Sequence, residues 1–363
     1  MVAFVLDGAA RFFPLDRLSF RAWEALVRYH APCGPFRANA SYENALSYGG
    51  LASMGNMPQY RQYRQEIFST DGFGFRRNSN LMALPSKYEA VLVGDSFAVG
   101  SGVNDHETLA AKLEQRLGAG VYNGGDTDPT PPKLDHILSL ARRLNITEGT
   151  VLYEYLERGN LPRPEDLFGD TRLKKTHSSC QNWMTRFSIW YDGFIEISPL
   201  RIIAQQSFKT LHNDFILPNI FKSNVVRKTL KNGEPILFYP PDVTTSRVER
   251  PVDVSGFKDL AAELGKHNLR LVLVLVPTHY TVYRPLLKED DMEKGDQRLY
   301  LDAVEKSLKA AHIPVINLVN LFRQKAQEYY RKNLYIYWRD DPHWNARGVE
   351  LAAEEILKQK LIH

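Results

Sequence analysis

Cysteine is nearly absent from this chain, with only Cys33 and Cys180 among 363 residues. The two stand in unrelated contexts without metal-ligand spacing, so the sequence predicts neither a disulfide framework nor a zinc site, and no other cofactor. A single disulfide between them is left open. Long apolar runs are also lacking, since no window reaches the ~18 to 20 uninterrupted apolar residues of a membrane-spanning helix. We therefore expect no transmembrane segment.

Charge of one sign is not concentrated anywhere in the chain. The 46 basic and 42 acidic residues leave a formal net charge of +4, and the basic stretch Lys222 to Lys231 is interpreted as a solvated face. This balance predicts no nucleic-acid partner. The first residues form only a short apolar run without a preceding basic segment, so no signal peptide is predicted and the expected compartment is the cytoplasm.

The sequence does contain a regular alternation of strand and helix patterns from Tyr88 onward. Such alternation is typical of right-handed βαβ units and a parallel sheet. We expect an α/β fold, a three-layer sandwich with roughly five parallel strands flanked by helices. The predicted strands are 89–94, 120–123, 150–156, 269–276 and 314–317, and the predicted helices are 106–117, 132–144, 256–267, 296–311, 319–331 and 346–358.

Two regions fall outside this alternation. Residues 1–85 are aromatic-rich and irregular, with one amphipathic helix predicted around residues 18–29, and are interpreted as an N-terminal extension packed on the core. Residues 159–254 carry prolines, aromatic residues and basic residues without a sustained period. They are interpreted as an aromatic-rich insertion in a core domain of residues 86–363.

The motif Gly94-Asp95-Ser96-Phe97 directly follows the apolar run that ends at Val93. A run that stops at Gly-Asp-Ser places a hydroxyl on the turn that leaves a buried parallel strand, where open α/β sheets carry their chemistry. Serine needs a general base to become a good nucleophile. Ser96 is therefore the predicted nucleophile, and a histidine with an acidic partner is expected elsewhere in the chain.

Asp340-Asp341-Pro342-His343-Trp344-Asn345 supplies both groups just before the last predicted helix. Asn345 is the predicted helix cap, and His343 is the predicted base. Asp341, two positions before the histidine, is the preferred partner, and Asp340, three positions before it, is the alternative. Trp344 is interpreted either as the floor of a sugar site or as a packing residue.

With these motifs the chain resembles the SGNH (GDSL-type) hydrolase superfamily, whose first block is Gly-Asp-Ser and whose last block is an Asp/His pair before the C-terminal helix. The branch most similar to it contains the alginate-type O-acetyltransferases and other bacterial exopolysaccharide-modifying proteins, on the evidence of Asp-Pro-His-Trp-Asn at 341–345 and of the central strand residues 153–158. The resemblance implies a Ser-His-Asp triad and an acyl-enzyme.

The superfamily's middle blocks supply further hydrogen-bond donors to the oxyanion. Val121-Tyr122-Asn123-Gly124-Gly125 fits the second block, and Gly125 is preferred over Gly124 as the donor. The third block, Gly-x-Asn-Asp, is missing, and Glu157-Arg158-Gly159-Asn160 stands in its place. Arg158 is interpreted either as a group that reaches the developing charge or a substrate carboxylate, or as an arginine paired with Glu157 or Glu154.

The expected function is an O-acetyl esterase or O-acetyltransferase that acts on a carbohydrate, as implied by the resemblance. The substrate would be a carbohydrate, above all an exopolysaccharide, or an acylated small molecule. Whether the chain has a partner in a polysaccharide-modifying assembly is left open. The alternative is a catalytically weak or inactive carbohydrate-binding protein, because the third block is missing. The resemblance also implies a periplasmic location, which stands against the cytoplasmic expectation.

Overall fold

In this computed structural model the described residues are 2–12, 35–36, 38–79, 85–127, 130–168, 183–184, 187, 191, 198–211, 224–246, 250–288 and 300–362. Several features of the sequence lie outside them. These are both cysteines, the helix predicted at 18–29, and Trp190 and Phe194 of the predicted insertion.

Five strands form one parallel sheet, as the alternation predicts. They are β3 (Tyr88–Val93), β4 (Gly120–Asn123), β5 (Gly149–Leu156), β8 (Leu269–Val276) and β9 (Val315–Asn317). Their spatial order is β4-β3-β5-β8-β9, and all four pairings are parallel. Because β4 lies on one side of β3 and β5 on the other, the winding direction reverses at β3, and a crevice opens beyond the carboxyl ends of these strands.

Helices cover both faces of this sheet. Alternate residues of the central strands point to opposite faces, so that Leu152 belongs to one buried cluster and Tyr153 to the other. The first face is covered by helices Leu109–Leu117, Val319–Tyr330 and Ala346–Lys358, and the second by Leu134–Arg143, Ser255–Gly265 and Tyr300–Ala310. The fold is therefore a three-layer α/β sandwich.

Two antiparallel hairpins lie beside the central sheet. One joins β1 (Ser41–Ser47) to β2 (Arg64–Ser69), and the other joins β6 (Val226–Thr229) to β7 (Pro235–Phe238). The remaining helices are Val2–Ala10, Gly50–Met54, Ser96–Val99, Pro164–Phe168, Pro199–Leu211, Pro240–Thr245 and His279–Tyr283, with single 3-10 turns at Pro58–Tyr60, Asp105–Glu107 and Arg284–Leu286.

The region preceding the sheet packs closely on it. Arg76 is buried, and its guanidinium bonds the Asp105 carboxylate at 3.1 Å and the carbonyl oxygens of Gly100 and Val103. Leu51 shares a buried cluster with Leu237 of β7. The division of the chain into residues 1–85 and 86–363 remains a prediction. Among the described residues, no helix has the length and apolar composition that a bilayer-spanning segment needs.

Candidate active site

The Ser96 hydroxyl lies on a sharp turn at the carboxyl end of β3. Helix Ser96–Val99 starts there, and the Asp95 carboxylate caps it by accepting a hydrogen bond of 2.8 Å from the Phe97 amide. Gly94 has a φ of +156°, and a Cβ at this position would collide with the Glu154 side chain. Only glycine fits this turn, which leaves Ser96 half-buried at the edge of the sheet.

Three predicted side chains form one hydrogen-bonded chain at this edge. Ser96 Oγ lies 2.7 Å from His343 Nε2, and His343 Nδ1 lies 2.5 Å from Asp341 Oδ1. A carboxylate only accepts hydrogen bonds, so Nδ1 carries the ring proton and Nε2 is left to accept the serine hydroxyl. This arrangement can take a proton from Ser96 and hold it next to a negative charge.

The imidazole is held by rigid neighbours. The His343 amide donates to Asp341 Oδ1 at 3.1 Å, and the Phe97 ring packs against the imidazole with centroids 4.8 Å apart. Asn345 caps helix Ala346–Lys358, as predicted, by accepting from the Arg347 and Gly348 amides. The backbone is therefore held by hydrogen bonds on both sides of His343 in the sequence.

Asp341 is completely buried, and its second oxygen is bonded from the N-terminal part of the chain. The Gly50 amide donates to Asp341 Oδ2 at 2.6 Å, and Nη2 of Arg64 lies 3.8 Å from the same oxygen. Gly50 begins helix Gly50–Met54, so the carboxylate meets unpaired amides at a helix start. One oxygen therefore orients the histidine while the other is anchored.

The Asp340 carboxylate faces away from His343. It accepts hydrogen bonds from the Gly49 amide at 2.7 Å and the Gln62 amide at 2.8 Å, and it pairs with Nη1 of Arg64 at 3.2 Å. Burial raises the pKa of Asp340, and the Arg64 charge and these amides act in the opposite direction. Of the two predicted acids, only Asp341 contacts the imidazole.

The sequence reasoning missed the residues that hold the two acids, namely Gly49, Gly50, Gln62 and Arg64. The only local signal is the Gly49-Gly50 pair ahead of a short helical pattern, which by itself is typical of an ordinary turn. Arg64 is further fixed because its guanidinium stacks over Trp338 at 4.1 Å. The region predicted as an extension thus contributes directly to the surroundings of His343.

The two glycines of the second block differ in their amide partners. The Gly124 amide donates to the Leu92 carbonyl at 2.8 Å, which continues the pairing of β4 with β3 and uses up this donor. The Gly125 amide donates to Asn123 Oδ1 at 3.2 Å, a long bond that a stronger acceptor can replace. A Cβ at Gly125 would press on the backbone of Ala98. Gly125 is the one of the two that can serve the oxyanion.

Arg158 pairs with neither of the acids that the sequence suggested. Its Nε donates to Asp242 Oδ1 at 2.5 Å, and its guanidinium lies over the Tyr239 ring at 4.6 Å. Glu157 instead accepts from the Thr278 amide. Asp242 has no sequence signal that distinguishes it from other acids near a helix start.

Glu154 lies directly beneath the nucleophile turn. Its Oε2 accepts from the Asp95 amide at 3.0 Å, and its Oε1 is buried without a hydrogen-bond partner among the described residues. Burial and the neighbouring Asp95 carboxylate raise the pKa of Glu154 well above its usual value, while Arg158 opposes this rise. The surroundings therefore favour the protonated form of this carboxyl group.

Trp344 has no ring face open to a sugar. The side chain is completely buried and packs edge-on against Phe97, with a further contact to Phe322. Its role in the structure is the packing role that the sequence left as the alternative. Within the described residues, no group of three or more His, Cys, Asp or Glu side chains is arranged to hold a metal ion.

Comparison with known proteins identifies one matching family model. Residues 238–360 match the model described as "SGNH hydrolase-like domain, acetyltransferase AlgX". The matched segment, about a third of the chain, includes Asp341 and His343 but not Ser96. The match confirms the resemblance to SGNH hydrolases and to their AlgX-type branch.

None of the curated proteins matches this sequence. A solved structure titled "Crystal structure of an acetyl xylan esterase AlAXEase" is similar with a TM-score of 0.34 and 11% identity, covering 74% of this chain and 98% of that one. A likeness of this size carries no conclusion about either fold or activity.

Proposed function

We propose that this SGNH hydrolase-like chain is a serine-dependent acyl-transfer enzyme, an O-acetyl esterase or O-acetyltransferase, that acts on a carbohydrate, most specifically an exopolysaccharide. The observation that carries the proposal is the continuous chain from Ser96 Oγ through His343 to Asp341, with distances of 2.7 and 2.5 Å. Such a chain is the arrangement that activates a serine hydroxyl.

The reaction proceeds in two balanced steps. Ser96 Oγ attacks the acyl carbonyl while His343 Nε2 takes the hydroxyl proton, and Asp341 stabilises the imidazolium that forms. His343 then gives this proton to the departing alcohol oxygen, leaving the acyl group on Ser96. In the second step water or a sugar hydroxyl loses its proton to His343 and attacks the acyl carbon. The bond from this carbon to Ser96 Oγ then breaks as His343 returns the proton to Oγ, which regenerates Ser96 and releases the free acid or the acylated sugar.

The negative charge that develops on the acyl oxygen needs hydrogen-bond donors. The Ser96 amide stands at the first position of its helix, where amides have no carbonyl partner within the helix. The Gly125 amide is the second donor, and the Arg158 guanidinium replaces the side-chain amide of the missing block. A well-placed donor of this kind contributes about 3 to 4 kcal/mol in acyl transfer.

Acetyl transfer is supported by the family match, because the matched model is described as an acetyltransferase. The carbohydrate is proposed from the resemblance to exopolysaccharide-modifying proteins. The exopolysaccharide, the acyl donor and a partner within a polysaccharide-modifying assembly are the finer parts of the proposal. Attack of water on the acyl-enzyme makes the enzyme a hydrolase, whereas attack of a sugar hydroxyl makes it a transferase of the acyl group. Acetate release from 4-nitrophenyl acetate, measured with and without an oligosaccharide acceptor, separates the two outcomes.

Covalent labelling tests the nucleophile. A fluorophosphonate probe followed by mass spectrometry should place the label on Ser96, and Ser96→Ala or His343→Ala should abolish it. The matched controls are Ser307→Ala and His267→Ala, since both positions lie far from the carboxyl edge of the sheet: Ser307 near the end of helix Tyr300–Ala310 and His267 ahead of β8. In both control variants Ser96 should be labelled as in the wild type.

The second candidate is a non-catalytic carbohydrate-binding protein, which the departure at the third block favours. It predicts that Ser96 takes no label although the chain is folded and binds an oligosaccharide. Labelling of Ser96 with loss in His343→Ala would exclude this candidate.

A further inference from the structure

The guanidinium of Arg158 is fixed on one edge and open on the other. Asp242 holds Nε at 2.5 Å, and Tyr239 supports the guanidinium plane at 4.6 Å. The described residues provide no hydrogen-bond partner for its two terminal nitrogens, and 27% of the side chain remains exposed. A rigid fork with free donors is suited to bind a planar or anionic oxygen group.

Asp242 is an unusual partner for a partly exposed arginine. Its carboxylate is completely buried, Oδ1 is used by Arg158, and Oδ2 has no hydrogen-bond partner within the part of the chain that the structure describes. Burial raises the pKa of Asp242, and the charges of Arg158 and His343 act against this rise. Burying a carboxylate is costly, and a single ion pair rarely returns that cost as stability. A role in the chemistry of the site would account for this pair.

Arg158 emerges at the same edge of the sheet as the nucleophile. It lies two residues after the end of β5, and Ser96 lies three residues after the end of β3. These adjacent parallel strands are in register at Val93 and Tyr153. The pair of Arg158 and Asp242 therefore lies at the same edge of the sheet as Ser96, at the position in the chain where the amide-bearing block is missing.

We propose that Asp242 is a positioning residue that fixes the Arg158 guanidinium with its terminal nitrogens toward the oxygen of the acyl group. The Nε edge is committed to Asp242, so the remaining edge donates to the oxyanion as negative charge develops. This inference rests on the proposed acyl-transfer function and adds to it a residue that acts through Arg158.

The same short segment supplies both supports of the arginine. Tyr239 directly precedes helix Pro240–Thr245, and Asp242 lies in the first turn of this helix. This segment follows β7 within the region predicted as an insertion. The insertion would then complete the site by holding Arg158, in addition to any contacts it makes with the sugar.

Asp242→Asn tests the proposal because it keeps the shape and removes the charge that holds Nε. We expect kcat for 4-nitrophenyl acetate to fall about tenfold or more with KM changed less than about twofold, since an oxyanion donor acts only in the transition state. Arg158→Met should lose at least as much. The double variant should lose no more than Arg158→Met alone, because Asp242 acts through the arginine.

Glu234→Gln is the matched control. Glu234 pairs with Arg339, which also stacks on a tyrosine, Tyr335, in the neighbouring hairpin region. Loss of this pair should leave kcat unchanged. Equal losses in Glu234→Gln and Asp242→Asn would mean that the effect is general destabilisation, and would overturn the proposal.

Arg158→Lys covers the case in which Asp242→Asn fails to fold. A lysine at this half-exposed position keeps the charge but cannot serve Asp242 and the acyl oxygen at once, so kcat should fall as in Arg158→Met. Wild-type kcat in Arg158→Lys, or in a folded Asp242→Asn, would refute the inference. Failure of the acyl-transfer function itself is distinguished by the absence of fluorophosphonate label on wild-type Ser96.

Discussion

The backbone amide of Gly50 donates a hydrogen bond of 2.6 Å to Oδ2 of Asp341, across 291 positions of sequence. Asp341 thereby bonds His343 with one oxygen and the N-terminal region with the other. A carboxylate anchored in this way cannot rotate away from the imidazole without breaking both contacts. The adjacent Asp340 is held by a separate set of donors, so neighbouring acids of one loop have different roles.

This difference predicts opposite phenotypes for two matched variants. Asp341→Asn should keep the fold and lower kcat by about 10³ to 10⁴, because an amide favours the wrong imidazole tautomer. Asp340→Asn should instead lower the free energy of unfolding by about 3 kcal/mol, because it removes the nearer of the two buried carboxylates that pair with Arg64. Urea unfolding and esterase kinetics on both variants check this. A kcat loss of similar size in folded Asp340→Asn would contradict the assignment.

Gly49 should tolerate no side chain. Its backbone conformation suits any residue, but a Cβ would collide with the carbonyl and carboxyl groups of Asp340. Gly49→Ala should therefore cost about 2 kcal/mol or more in unfolding free energy, the range of an overpacked core position. Gly265→Ala is the control, since nothing lies within 4 Å of its Cβ and alanine favours the helix by about 0.5 to 1 kcal/mol. Thermal unfolding that ranks the two in the reverse order would refute this prediction.

His279 should make the fold sensitive to acid. The ring is completely buried and stacks on Tyr337 with centroids 5.2 Å apart, and neither nitrogen has a hydrogen-bond partner among the described residues. Burial lowers the pKa of His279 from 6.5 to about 3, although the Asp341 charge opposes this.

The lowered pKa of His279 sets the direction in which stability changes with pH. The unfolded chain binds a proton that the folded chain excludes, so the free energy of unfolding is highest above pH 6.5 and decreases as the pH falls toward 3, by about 5 kcal/mol in all. His279→Phe should flatten this dependence in urea unfolding between pH 7 and 5, whereas exposed His267→Gln should not. An unchanged slope in His279→Phe would mean that another group is responsible.

Glu154 should change stability with pH in the direction opposite to His279. Because burial and Asp95 raise its pKa, the folded chain keeps a proton that the unfolded chain releases, so stability falls as the pH rises from the normal carboxyl range toward the raised pKa. Glu154→Gln retains an acceptor for the Asp95 amide and cannot ionise. It should be more stable than the wild type at pH 8 and similar at pH 5. The exposed Asp259→Asn serves as control, and a wild-type pH profile in Glu154→Gln would contradict the raised pKa of Glu154.

Local patterns predicted the core elements closely. Strand Leu269–Val276 has the predicted bounds, because an eight-residue run of Leu and Val that only Arg270 interrupts is typical of a buried strand. Other bounds moved where hydrogen bonds to side chains intervene. The helix predicted at 106–117 begins at Leu109, because Thr108 caps it after the 3-10 turn Asp105–Glu107. Such caps depend on side-chain geometry that periodicity does not record.

The sequence by itself determined the parallel sheet, the serine on the turn after β3 and the histidine ahead of the last helix, because each depends on local pattern and short spacing. Only the tertiary structure decided which aspartate contacts His343 and which acid holds Arg158. Asp340 and Asp341 both have a spacing that permits contact, and the choice is made by Gly49, Gly50 and Arg64. These donors are far away in the chain, and close packing of buried polar groups, rather than any local preference, brings each to its acceptor.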